Sequence, residues 1–129
     1  MYIAVDFDGT IVKHEYPEIG DPVPGAFEWM RLWQLAGAQL ILWTMRCDSE
    51  KDGPVLTDAI DFCKRNGIIF LDHNKNPTQH WSLSPKCYAH IYVDDAAEGC
   101  PLIYPAKGRP YVDWSIVGPN VYNKMMDSK

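Results

Sequence analysis

Asp6 and Asp8 are the first residues of this sequence whose type and spacing suggest chemistry. They close the apolar run Tyr2-Ile3-Ala4-Val5, and Gly9 and Thr10 follow at once. Residues two apart in a strand point to the same side. Both carboxylates are therefore expected together at the strand's carboxyl end, where open α/β sheets place their ligands. Two carboxylates that close repel each other unless a cation or a shared proton intervenes. A second acidic pair, Asp94-Asp95, ends another apolar run. Four carboxylates at one cleft call for a hard cation. Mg2+ fits, since it takes oxygen ligands and is held by one or two carboxylates plus substrate phosphate. Zinc fits less well, because the four histidines are scattered and no His/Cys group has ligand spacing. Turn geometry alone also favours Asp and Gly, and competes as an explanation of the first motif.

Five further residues are candidates to join this set. Thr44 ends a second apolar run, and its hydroxyl could bind a phosphate oxygen, although β-propensity also places Thr in strands. Lys86 lies just before the run that ends in Asp94-Asp95, where a fixed ammonium would neutralise a phosphate or developing charge. Lys75 is its competitor from the same long loop. Arg46 and Lys13 are candidate substrate contacts, with ordinary surface charge as the competing explanation.

The elements that must position these residues can be read from periodicity and punctuation. Residues 2–7 read as a buried strand and 13–23 as a polar loop that could act as a flap. Pro24 opens a helix running to about Ala36, with Gly37 as its stop and Phe27, Met30 and Leu35 in its buried stripe. Gln39 to Trp43 is a second strand. Leu56, Ala59, Ile60 and Cys63 recur at helical spacing after Pro54. Ile68–Leu71 and Tyr88–Val93 read as the third and fourth strands, and Leu102–Tyr104 as a fifth. Four prolines after residue 100 predict an irregular tail over 101–129, pinned to the body by Trp114 and Ile116.

Strands alternating with helices imply βαβ units and a Rossmann-like, three-layer α/β/α arrangement around a mostly parallel sheet. Right-handed crossovers place the second and third strands successively to one side of the first. A fourth strand on the other side creates a switch point flanked by Asp6 and Asp94.

The 129 residues suit one domain with a single core. A formal charge of -5 argues against a general nucleic-acid-binding surface. No apolar run approaches the ~20 residues of a membrane span. The first strand begins at residue 2, leaving no room for a signal peptide. Cys47, Cys63, Cys87 and Cys100 form no CxxC pair and read as free thiols of a cytoplasmic protein.

Asp6-Phe7-Asp8-Gly9-Thr10 resembles the first motif of the haloacid dehalogenase (HAD) superfamily. Leu42-Trp43-Thr44 resembles its second, Lys86 its third, and Tyr92-Val93-Asp94-Asp95 its fourth. The resemblance spans residues 2 to 95 in the correct order. It implies a phosphatase in which Asp6 attacks the phosphoryl group and Asp8 serves as acid, then base. Mg2+ would be held by Asp6, the Asp8 carbonyl and Asp94, with Asp95 helping, while Thr44 and Lys86 hold the phosphoryl. The intervals between motifs leave no room for a folded cap. An open cleft suits a large substrate, or a homo-oligomer in which a neighbour covers the site, and the phosphorylated substrate stays open between small molecule and macromolecule.

A phosphotransferase would need only a different acceptor. A receiver-like signalling module would phosphorylate Asp72 instead, but it would place Thr or Ser where Asp94-Asp95 stands. A non-catalytic scaffold would not need the full polar set.

Overall fold

The computed structural model describes all 129 residues. Its elements run β1 (Tyr2–Val5), α1 (Ala26–Leu35), β2 (Gln39–Leu42), α2 (Val55–Arg65), β3 (Asp72–His73), β4 (Ile91–Val93), β5 (Leu102–Ile103), β6 (Tyr111–Val112) and α3 (Trp114–Asp127). Four strands form a parallel sheet in the order β3-β2-β1-β4. The switch point thus falls between β1 and β4, as the crossover argument requires.

Side chains alternate across the sheet. Ile3, Val5, Leu40, Leu42 and Val93 join Phe27, Met30, Trp33, Ala59, Cys63, Trp114 and Val117 in one core, so all three helices cover one face. Ala4 and Ile41 are equally buried but point the other way. No helix lies between β3 and β4, and the irregular segment 74–90 covers that second face. The Asn76 amide donates to the Tyr88 carbonyl (3.1 Å) and the Thr78 hydroxyl to the Tyr2 hydroxyl (3.0 Å). The expected three layers are therefore two, with a loop in place of the third.

Several boundaries move for local reasons. β1 stops at Val5 because the Phe7 carbonyl accepts N–H groups of Thr10, Ile11 and Val12, which curls the chain just past Asp6. The expected strand Ile68–Leu71 is still leaving α2, with the Ile68 N–H bonded to the Cys63 carbonyl. Pairing with β2 begins only at Leu71 N–H to Leu40 carbonyl. Leu35 is 84% exposed, and Trp33 fills the stripe position instead. α2 starts after Pro54 without a side-chain cap of its own. Asp48 supplies one from a distance, accepting the Leu56 and Thr57 N–H groups at 2.8 and 3.0 Å.

The largest departure is at the carboxyl end. β5 does not join the sheet but pairs antiparallel with β6. The expected irregular tail is mostly α3, a helix of 14 residues containing Pro119. Trp114, Val117, Val121 and Met125 are buried along one side of it, whereas Ile116 is exposed. Each buried apolar side chain contributes ~1.5–3 kcal/mol. Interior Gly and Pro cost about 1 and about 3 kcal/mol. Four anchors therefore outweigh Gly118-Pro119. Trp33 and Trp114 pack at 5.2 Å, and their indole N–H groups donate to the Gly118 and Thr10 carbonyls. All four cysteines are free, and no helix is long and apolar enough to cross a membrane.

Candidate active site

Asp6 follows β1 and Asp94-Asp95 follow β4, and the Asp6 N–H donates to the Val93 carbonyl at 2.9 Å. Neighbouring parallel strands thus deliver the two acidic motifs side by side. One carboxylate oxygen from each of Asp6, Asp94 and Asp95 lies within 4.8 Å of the others. Burial pushes Asp6 up to about 8, helped by the charge of Asp94 and by the hydrogen bond that protonated Asp6 donates to Asp95. Burial likewise raises Asp94.

Thr10, fully buried, ties the cluster together. Its hydroxyl donates to Asp6 Oδ2 (2.9 Å) and accepts the Asp95 N–H (3.1 Å). His14 Nε2 lies 2.9 Å from Asp95 Oδ2. A β-carbon on Gly9, whose φ is +85°, would overlap both the His14 ring and the Asp95 carboxylate. Glycine is needed there twice over, for its backbone conformation and for the space it leaves. Sequence reasoning gave Thr10 and His14 no role. The place of Thr10 beside Asp8-Gly9 was the available hint, whereas the lone His14 carried none.

Asp8 does not join this cluster. Its carboxylate oxygens accept two parallel bonds from Arg46, Nε to Oδ2 at 2.9 Å and Nη2 to Oδ1 at 2.8 Å. Strand alternation does not apply, because the chain has already left β1. The Asp8 backbone carbonyl accepts no backbone hydrogen bond.

Arg46, expected as a substrate contact, is a buried clamp instead. Besides Asp8 it donates to the carbonyls of Pro17, Val55 and Glu18, at 3.2, 3.1 and 2.8 Å. All five of its N–H groups are thereby used. The rings of Phe7 and Tyr16 lie on the guanidinium, 4.9 and 5.1 Å to their centroids. One side chain thus fastens Asp8, the segment 16–18 and the start of α2.

Two cavities meet over the acidic cluster. The smaller, about 320 Å³, has Asp6, Thr44, Asn74, Pro85 and Asp94 in its wall. The larger, about 500 Å³, adds Asp8, Tyr16, Asp95 and Arg109. Thr44 lines both and is fixed by two bonds: its N–H donates to Asn74 Oδ1 (2.8 Å), and its hydroxyl oxygen accepts the Arg46 N–H (3.1 Å). Asn74 reaches it from a left-handed backbone position, φ 56°. Lys86 lines neither cavity. It is exposed, with its ammonium 5.6 Å from the Tyr92 ring centroid, although Pro85 before it forms a wall of the smaller cavity. Lys75 lies 3.9 Å from Asp72, and Lys13 over the Tyr111 ring. Asp72, on the edge strand β3, lines neither cavity.

No protein-family model matches the sequence. No curated protein matches it either. Among solved structures, a conserved protein from Bacteroides thetaiotaomicron is similar at 39% identity and a TM-score of 0.76. The similarity covers 96% of this chain and 91% of that one. At that identity and coverage, the chain belongs to the same family as this conserved Bacteroides thetaiotaomicron protein.

Proposed function

We propose that the protein is a Mg2+-dependent phosphohydrolase of the HAD type without a cap domain, acting on phosphomonoesters through an aspartyl-phosphate on Asp6. The observation that carries this reading is the convergence of Asp6, Asp94 and Asp95 within 4.8 Å beside Thr44. Their all-oxygen donor set suits a hard divalent ion. The raised Asp6 points the same way: a cation in place of the shared proton would relieve the repulsion. Asp6, Asp94 and the Asp8 carbonyl would hold the ion, with Asp95 directly or through water. When bound, it supplies positive charge to the phosphoryl oxygens.

The remaining chemistry falls to this chain. Thr10 fixes the rotation of the Asp6 carboxylate through Oδ2. Asp6 forms a bond to phosphorus as the bond to the leaving oxygen breaks, and Asp8 gives that oxygen a proton, which requires Asp8 to take up a proton first and one of its oxygens to turn away from Arg46. Asp8 then takes a proton from the water that attacks phosphorus, releasing phosphate and restoring Asp6. Thr44 uses its hydroxyl oxygen as acceptor toward Arg46, which keeps its proton for a phosphoryl oxygen. Lys86, next to the Pro85 wall, neutralises phosphoryl charge, which requires its side chain to leave Tyr92. Only α1 separates β1 from β2, and only α2 separates β2 from β3, which supports an uncovered cleft.

The purified chain should hydrolyse an aryl phosphate with Mg2+ and stop with EDTA. Asp6→Asn should lose at least about a thousandfold in kcat, the scale of an essential nucleophile, while circular dichroism stays native. Wild-type turnover in Asp6→Asn removes the nucleophile assignment.

A further inference from the structure

Asp8 lines the larger cavity and not the smaller one. A residue that protonates the leaving oxygen must reach it, so on the phosphohydrolase reading the leaving group occupies the larger cavity. That cavity is rich in negative charge, with four carboxylates in its wall. Its basic side chains are Arg46, His14 and Arg109. Arg46 has no donor left. His14 is bound to Asp95. Arg109 takes part in no ion pair, and its guanidinium is unspent.

The position of Arg109 is fixed by the fold. It lies on the turn joining β5 to β6, where Gly108 adopts a φ of +87° and Pro110 follows. β6 is attached to the active-site loop: the Val112 N–H donates to the Gly9 carbonyl at 3.0 Å. The antiparallel ribbon therefore presents Arg109 in a set relation to Asp8. In the same wall, Tyr16 and Met45 offer flat and apolar surface.

We propose that Arg109 is a specificity determinant that pairs with a second anionic group on the leaving group. The preferred substrates are then phosphomonoesters whose leaving group carries a further negative charge, engaged by the guanidinium fork. The inference rests on the phosphohydrolase reading and on the acid role of Asp8.

A matched pair of probes tests it. 3-Carboxyphenyl phosphate and 3-carbamoylphenyl phosphate share a shape and differ in one charge. With Mg2+, the wild-type chain should favour the carboxylate by about tenfold in kcat/KM, what one charge-assisted pair supplies. Arg109→Gln should bring the ratio to about one, and raised salt should shrink it in the wild type. Equal rates for the two probes in the wild type, or a preference that survives Arg109→Gln, overturn the inference and leave the phosphohydrolase reading standing. Hydrolysis of neither probe removes the phosphohydrolase reading, and the inference with it.

Discussion

Arg46 shows how one side chain changes meaning between sequence and structure. As a residue in a polar loop it looked like a surface charge or a substrate contact. In the fold it is 2% exposed, and its five donors are divided between Asp8 and three carbonyls. Removing it would leave a carboxylate without its partner and three carbonyls unpaired, that of Val55 in a buried bond and those of Pro17 and Glu18 in partly buried ones. Arg46→Ala should therefore destabilise the chain by roughly 3–5 kcal/mol, the usual result of breaking a buried pair from one side, read as a lowered urea midpoint. Arg46→Lys keeps the charge but loses the fork, and should recover only part of that loss. The opening pair divides in the same way. Asp6 belongs to the acidic cluster with Asp94 and Asp95, and Asp8 belongs to Arg46.

At the scale of elements, α3 is where local sequence rules and the tertiary fold disagree most. Gly118-Pro119 reads as a break, and the buried positions 114, 117, 121 and 125 read as a helix. The burial wins because Trp114 also bonds to the loop after β1 through the Thr10 carbonyl. Gly118 is required by a neighbour rather than by the backbone, since a β-carbon there would enter the Trp29 ring. Propensity alone would favour Gly118→Ala by about 1 kcal/mol. Overpacking costs typically 1–3 kcal/mol, so the substitution should lower the melting temperature rather than raise it. The second face of the sheet illustrates the converse. A run of turn signals between β3 and β4 forms the irregular cover that those signals describe.

For the whole molecule, the acidic cluster makes stability depend on pH. Asp6, raised from 3.8 to about 8 chiefly by burial, binds its proton more tightly folded than unfolded. That contribution to stability is fully present below the unfolded value and is lost as pH rises through about 8. In EDTA, the urea midpoint should therefore fall between about pH 5 and about pH 8. Asp6→Asn should flatten most of that slope, with the remainder due to Asp94, whose carboxyl is also raised. Mg2+ should raise the midpoint most at the alkaline end, where it no longer competes with the proton. A slope of the same size in Asp6→Asn would place the titrating group elsewhere.

How much of this was legible follows from the range of each interaction. Alternation, helical spacing and strand-terminal polar residues are local. The sequence by itself therefore determined the parallel α/β order, the switch point and the meeting of Asp6 with Asp94-Asp95. Strand neighbours are close whatever lies between them in the chain. Contacts that depend on how loops curl after the strands were not legible. Only the tertiary structure turned Asp8 toward Arg46, seated His14 against Asp95 over Gly9, and left Lys86 over Tyr92. The same holds for the ribbon that carries Arg109, since long-range side-chain pairing leaves no period in the sequence. It is decided by which donors and acceptors remain unsatisfied once the sheet has formed.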